Sequence, residues 1–313
     1  MMTLFSLPKP FRGHIDIIQR NAIRSWLCLQ PACEILLFGD DDGVADAAKE
    51  FGLRHIPNIA RNEHGTPLVN DLFAQAQRLA THDLLCYINA DIIVMRDFLN
   101  GIERVASAFP RQFLMVGQRW DLDIKTPLAF EADWEERLRD LTRRDGRLHG
   151  MTGMDFFAFR QGLWATIPPF GIGRTSWDNW LIYGARKRGA AVIDATPSVM
   201  IVHQQHDYAH LAGGEHEAWH GQEAQRNFAL AGGINCMFNL HDATHRLTPY
   251  SVSRNVSLVA LKQAVLRLVR WHDLNGIVSK IRSVVKDEGI GGGVTYFVQR
   301  GREKMRNLSR TRR

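Results

Sequence analysis

Two polar side chains interrupt an apolar run in residues 83–94, Asp-Leu-Leu-Cys-Tyr-Ile-Asn-Ala-Asp-Ile-Ile-Val. Read as one strand, the run puts Asn89 and Asp91 on the same face, because strand side chains alternate with a period of two. A carboxylate among apolar neighbours needs a cation, a donor or an exit to solvent. A hard divalent cation would satisfy Asp91, since such ions take oxygen ligands and keep positions open for a ligand's phosphates. A second group, Trp177-Asp178-Asn179-Trp180, sets a carboxylate between two indoles. It offers a proton acceptor beside flat apolar surfaces; it equally reads as a helix start capped by Ser176, Asp178 or Asn179. A third is the histidine run His203, His206, His210, His216 and His220, with Asp207 among them. Its spacings suit a transition-metal site of hydrolytic type, but His206-Asp-Tyr-Ala-His210 lacks the glutamate of the zinc-protease helix.

The elements that must carry these residues alternate. Thr3–Leu7 is a short apolar run stopped by Pro8 and Pro10, and residues 14–29 show helical spacing through Ile15, Ile18, Ala22, Ile23 and Trp26. Strands are predicted over Glu34–Phe38, Arg54–Ile59, Asp83–Val94 and Gln112–Gly117, with helices over Val44–Phe51, Gly65–Ala80 and from Asp97, as cap, to Ala108. Strands that are apolar throughout and separated by single helices indicate a parallel sheet covered on both faces. Ligands of such sheets bind beyond the carboxyl ends of the strands. Asp40, Asn58 and the Asn89/Asp91 pair fall at those ends. Residues 119–148 read as charged and irregular, with a helix through Asp133–Arg144. Strands follow at Met154–Phe159, Ala191–Ala195 and Val199–Val202, and a helix from Trp177 to about Lys187.

The charge divides unevenly. Residues 251–313 hold 14 Lys and Arg against 4 Asp and Glu, a net of +10, which leaves 25 against 29, or −4, for residues 1–250. A mildly acidic body thus carries a basic appendage, in which Leu258, Leu261, Val265 and Leu268 form one amphipathic seam and Leu274, Ile277, Ile281 and Val284 another, followed by a Gly289–Gly293 break. Such a tail suits an anionic membrane surface. It has little stacking surface, with Trp271, Tyr296 and Phe297 alone, so specific nucleic-acid binding is not expected. No run is apolar enough to span a membrane, and the first residues lack the features of a signal peptide. Four scattered cysteines form neither a disulfide scaffold nor a metal pair, so a cytoplasmic protein, peripheral at most to the inner membrane face, is expected.

The order strand, helix, strand, Asp cluster, helix, strand, Asn/Gly loop, helix and apolar strand ending in Asn89-Ala90-Asp91 resembles the nucleotide-sugar-binding half of GT-A-fold glycosyltransferases of the bacterial, family-two-like kind. The resemblance covers roughly residues 2–210. It implies an α/β fold, Rossmann-like, with a mostly parallel sheet and helices on both faces, plus the C-terminal helical appendage. Its domains would be 1–250, made of a nucleotide-binding half (1–118) and an acceptor half (119–250), and 251–313. Asn89-Ala90-Asp91 stands where the family has Asp-x-Asp, so Asp91 keeps the metal-binding carboxylate while Asn89 is suited to a ribose hydroxyl. Asp40 resembles the acidic residue at the nucleoside base, and Gly65 and Asn70 match a stretch lying on the nucleotide. Trp177-Asp178-Asn179 resembles the acceptor-side motif whose carboxylate is the catalytic base of inverting members. His203 resembles a further metal ligand, and Asp155, Trp177 and Trp180 would face the acceptor.

The resemblance therefore implies a Mn²⁺- or Mg²⁺-assisted transfer of a sugar from a nucleoside diphosphate sugar donor to a saccharide or lipid-linked acceptor hydroxyl. Other readings remain. A sugar-phosphate nucleotidyltransferase uses a similar sheet but carries a Gly-rich triphosphate loop after its first strand, where this chain has Pro8-Lys9-Pro10-Phe11-Arg12-Gly13. A non-catalytic carbohydrate- or nucleotide-binding protein, or a metal-dependent hydrolase, would use the same polar residues differently.

Overall fold

The short apolar runs closed by turn residues become the strands of the main sheet. A computed structural model of the chain describes residues 1–206, 214–259 and 262. In the first half it has β1 (Thr3–Ser6), α1 (Gly13–Leu27), β2 (Glu34–Phe38), α2 (Val44–Glu50), β3 (Arg54–Ile56), α3 (Val69–Leu79), β4 (Leu84–Ile88), β5 (Ile92–Ile93), α4 (Arg96–Ala108) and β6 (Phe113–Val116). There follow β7 (Arg119–Leu122), α5 (Trp134–Asp145), β8 (Arg147–Leu148), β9 (Phe156–Arg160), α6 (Trp177–Lys187), β10 (Ala191–Asp194), β11 (Ile201–Gln204), α7 (Gly214–His220), α8 (Gln222–Leu230), β12 (His245–Leu247) and β13 (Val252–Arg254).

Among the described residues nine strands form one sheet in the order β13-β12-β10-β6-β9-β4-β1-β2-β3. It is mostly parallel: only β9 and β13 run against their neighbours. The alternation of strand side chains sends Leu4 and Phe5 to opposite faces. Leu4 joins Ala22, Ile23 and Trp26 of α1 and Phe98 and Ile102 of α4 in one core. Phe5 joins Leu72 and Phe73 of α3 and Leu181 and Ile182 of α6 in the other. Helices thus cover both faces, as the continuous apolar strands predict.

A second sheet, β5-β11-β7-β8, stands beside the first. It corrects several expectations. The 83–94 run is not one strand: β4 ends at Ile88, Ala90 and Asp91 form a turn, and Ile92–Ile93 pairs with β11 instead. Residues 119–148, read as irregular apart from a helix, supply β7 and β8. Asp97 does not cap α4, whose cap position is Met95; its carboxylate accepts from Arg139 and from the Met200 amide. Beyond residue 250, β13 pairs with β12, and one compact unit runs over Met1–Ala260. Of the two seams only Leu258 lies among the described residues; the rest, the Gly289–Gly293 break, Asp207 and His210 lie outside them. Among the described residues no helix is long and apolar enough to cross a membrane.

Candidate active site

From β1 the chain moves outward to β2 and β3, whereas β4 lies on the other side of β1. That reversal falls at the carboxyl ends of β1 and β4, the place where open α/β sheets bind ligands. Lys9 follows β1 into it and Asp91 follows β4. The turn after β4 is held by its backbone: the Asn89 amide donates to the Asp155 carbonyl (2.9 Å) and the Ile92 amide to the Asn89 carbonyl (3.1 Å). Asn89 and Asp91 therefore have separate environments. The Asn89 side chain donates to Asp155 Oδ1 (2.7 Å) and accepts from the Tyr87 hydroxyl (2.8 Å). Asp155, 5% exposed, is further gripped by Arg119 Nη1 at 3.1 Å from each carboxylate oxygen. Asn89 and Asp155 are thus hydrogen-bonded to each other, with the Asp155 carboxylate buried.

Asp91 has different company. Strand β11 runs between β5 and β7, with His203 opposite Ile92 on one side and Asp121 on the other. Asp91 Oδ2 lies 3.1 Å from His206 Nε2 and 3.9 Å from His203 Nε2, and one ligand atom from each residue falls within 4.8 Å of the others. Lys9 Nζ approaches from the β1 side, 3.1 Å from His206 Nε2 and 4.0 Å from Asp91 Oδ2. Burial alone would raise the Asp91 carboxyl; the hydrogen bond with His206 and the charges of His203 and Lys9 outweigh it and hold the group well below the usual carboxylate range. Its other oxygen, Oδ1, is buried with no hydrogen-bond partner. A buried carboxylate oxygen left bare is costly, and a cation removes the cost. Two imidazole nitrogens with one carboxylate fit a divalent ion of intermediate softness, which ranks Mn²⁺ above the strictly oxygen-seeking Mg²⁺.

The other expected residues flank this centre. Asp40, past the end of β2, is fully exposed and accepts from Arg61 Nη2 at 2.6 Å; Arg61 also donates to the Gly65 carbonyl at 2.9 Å. Gly65 adopts the left-handed φ of +78° that favours glycine in such a turn. Asn70, in the first turn of α3, buries its Oδ1 without a hydrogen-bond partner. Asp40 lies two strands from β4 across the sheet edge, roughly 10 Å at normal strand spacing. Asp178 occupies the first turn of α6, where Oδ1 accepts from the Asn179 amide (2.9 Å). Burial, reinforced by the negative charge of Asp155, pushes its carboxyl up to about 6 against the pull of those amides. Trp177 is only 7% exposed and packs edge-on against Tyr87, ring centroids 5.4 Å apart. Trp180 is half-buried against Phe170. Trp177 thus supports α6 from beneath, and with it buried the two indoles do not form an open pair of walls around Asp178.

Lys9, Arg119 and Asp121 were not among the residues expected at the site, and His206 was read only within the histidine run, apart from Asp91. Lys9 was legible only as a base in a proline-rich turn. Arg119 and Asp121 alternate with Trp120 and Leu122, a period of two that marks a strand with one polar face.

No protein-family model matches the chain, and no curated protein sequence does. Among solved structures the fold is similar to GalNAc-T7 with UDP, GalNAc and Mn²⁺, at 15% identity and a TM-score of 0.46 over 74% of this chain. It spans 48% of that protein, about half its length. It is also similar to glucosyl-3-phosphoglycerate synthase from Mycobacterium tuberculosis with Mg²⁺ and UDP, at 13% identity and a TM-score of 0.44, over 74% of this chain and 80% of that one. A third, CMP:2-keto-3-deoxy-manno-octonic acid synthetase with CTP, aligns over 51% of this chain and 75% of that one, at 13% identity and a TM-score of 0.32.

Proposed function

We propose that the chain is a GT-A-like glycosyltransferase that moves a sugar from a nucleoside diphosphate sugar to an acceptor hydroxyl, with Asp91, His203 and His206 holding a divalent cation. The observation that carries the reading is the bare, buried Asp91 Oδ1 beside two imidazoles at the strand-order reversal. Bound there, the cation would neutralise charge growing on the departing diphosphate. Lys9 adds an ammonium beside the same place. Asp40, Gly65 and Asn70 line the β2 and α3 side, where the nucleoside would lie; the unpartnered Asn70 Oδ1 can accept from it. Asn89 and Asp155, bound to each other, keep the Asp91 turn in place. Asp178, ionised for the most part at pH 7 with a carboxyl near 6, takes the acceptor proton as attack begins. Trp180 borders the acceptor side, and Trp177 fixes α6 from within.

The first alternative would need a glycine-rich triphosphate loop after β1, but Pro8–Gly13 holds one glycine, and Lys9 turns toward Asp91. The test is a thermal-shift panel of UDP, GDP, CMP and dTDP with and without Mn²⁺, on wild type and Asp91→Ala. A ligand at 100 times its Kd stabilises by about 2.7 kcal/mol, a shift of several degrees. One nucleotide should give a shift that needs Mn²⁺ and is absent in Asp91→Ala. No shift with any nucleotide would overturn the proposal.

A further inference from the structure

We propose that Asp121 is the positioning residue of the cation centre: its carboxylate fixes the His203 ring with Nε2 turned to Asp91, and ties that ring to the turn that carries Asp91. The inference rests on the cation reading above. Asp121 and His203 are register partners on the parallel pair β7 and β11. Asp121 Oδ1 lies 3.1 Å from His203 Nδ1, while His203 Nε2 points at Asp91 Oδ2 from 3.9 Å. A carboxylate can only accept, so Nδ1 carries a proton in either ring state, and the neutral ring leaves its lone pair on Nε2 for a metal.

The same carboxylate is wired to the other arm of the centre. Arg119 Nε donates to Asp121 Oδ1 at 2.8 Å, and Arg119 Nη1 donates to both oxygens of Asp155 at 3.1 Å. Asp155 Oδ1 accepts from Asn89, two residues before Asp91. Four side chains, Asp121, Arg119, Asp155 and Asn89, therefore set the separation between the strand that supplies His203 and the turn that supplies Asp91. A role confined to packing or charge balance would need only the Arg119–Asp155 pair. The second oxygen of Asp121 accepts from His149 Nδ1 at 2.7 Å. That imidazole is outside the ligand group, and it supplies an internal control. Carboxylates behind metal-bound histidines orient the ring and raise its donor strength, and their loss weakens metal binding by about 10–100-fold.

The experiment uses the full chain. Mn²⁺ affinity is read from the free-ion electron paramagnetic resonance signal, and the His203 tautomer from ring ¹⁵N shifts of the metal-free protein. Asp121→Ala should lose about 10–100-fold in Mn²⁺ affinity and shift the His203 proton away from Nδ1. Asp121→Asn, which keeps an acceptor oxygen for Nδ1, should recover part of the affinity and serves if Asp121→Ala does not fold. His149→Gln should bind Mn²⁺ as wild type does. Wild-type affinity and an unchanged tautomer in the folded Asp121 variants would overturn the positioning role while leaving the cation site intact. Absence of Mn²⁺ binding in wild type would remove the cation reading and this inference together.

Discussion

At the scale of single residues, Asp178 sits where its own ionisation works against folding. Ordinarily such a carboxyl titrates near 3.8; burial, with the charge of Asp155, lifts it to about 6. The residue before it but one, Ser176, is 3% exposed and holds a left-handed φ of 84° without being glycine, a conformation worth about 1 kcal/mol or more of strain. Strain and a displaced carboxyl at the start of α6 accord with the role proposed for Asp178. The folded state binds the Asp178 proton more tightly than the unfolded chain does. Stability from this group is therefore undiminished below pH 4, falls as pH rises from about 4 to about 6, and stays reduced above. Asp178→Asn removes that penalty. The variant should melt higher than wild type at pH 7.5, by on the order of 1 kcal/mol after allowance for solvent screening, and the gain should vanish at pH 4. Its turnover should fall about 100-fold or more with nucleotide affinity retained. Thermal unfolding at the two pH values with matched kinetics checks both; a variant no more stable than wild type at pH 7.5 would sink the argument. Asp178 was legible because it stands between two tryptophans in a weakly charged segment. Asp121 was not, because its four-residue alternation lies inside a stretch rich in charge.

At the scale of elements, α8 locks the loops that frame the site. Glu223 and Asn227 are four apart and share one helix face. Glu223 accepts from Asn62 at 2.6 Å and from Arg174 at 2.6 Å. Asn227 bonds both backbone groups of Gly171 at 2.9 Å and donates to the Thr175 carbonyl. The helix thereby holds the 61–66 turn, which leads into α3 and Asn70, and the 170–175 loop, which leads into Ser176 and α6. Gly171 allows the close approach: a Cβ there would meet Thr66 Cγ2 at 3.1 Å and Glu223 Oε1 at 3.5 Å. Burial would raise the Glu223 carboxyl, but its bonds to Asn62, Thr66 and Arg174 bring it below the usual value. Glu223→Ala leaves the largely covered Arg174 guanidinium without its carboxylate and should cost about 3 kcal/mol in denaturant unfolding. Glu223→Ala/Arg174→Ala should be less damaging than the two single losses added together. Strict additivity would show that the pair does not act as a latch. Nothing in the sequence announced this helix's task. Asn62 and Glu223 stand 161 residues apart, and a contact at that range leaves no period to read. The break after β4 was hidden for another reason: β5 is as apolar and buried as β4, so only Asn89-Ala90-Asp91 between them marks the change of sheet.

At the scale of the whole molecule, the part easiest to read was the first half, where buried parallel strands announce themselves as apolar runs between single helices. Residues 119–254 were harder, since β7, β8, β12 and β13 are short, partly exposed and mixed in charge. The distribution of charge needs no fold to be seen, and it leads to a last prediction. Residues 261–313 hold 13 Lys and Arg against 4 Asp and Glu, joined to a body, Met1–Ala260, that clusters as its own compact unit. Each basic residue near an anionic bilayer contributes about 1 kcal/mol, and the attraction fades within a Debye length of about 10 Å at 0.1 M salt. The full chain should therefore sediment with phosphatidylserine-containing vesicles at low salt, leave them at about 0.5 M salt, where the screening length is roughly halved, and ignore neutral vesicles. A chain ending at Ala260 should lose the association while keeping the Mn²⁺-dependent nucleotide shift, because Lys9, Asp91, His203 and His206 all lie in the body. Should the shortened chain bind vesicles as well as the full one, or should salt leave the binding unchanged, the basic segment is not the membrane contact. Its charge would then serve an acidic acceptor, and the same shortened chain would reveal that as a loss of turnover at unchanged donor affinity.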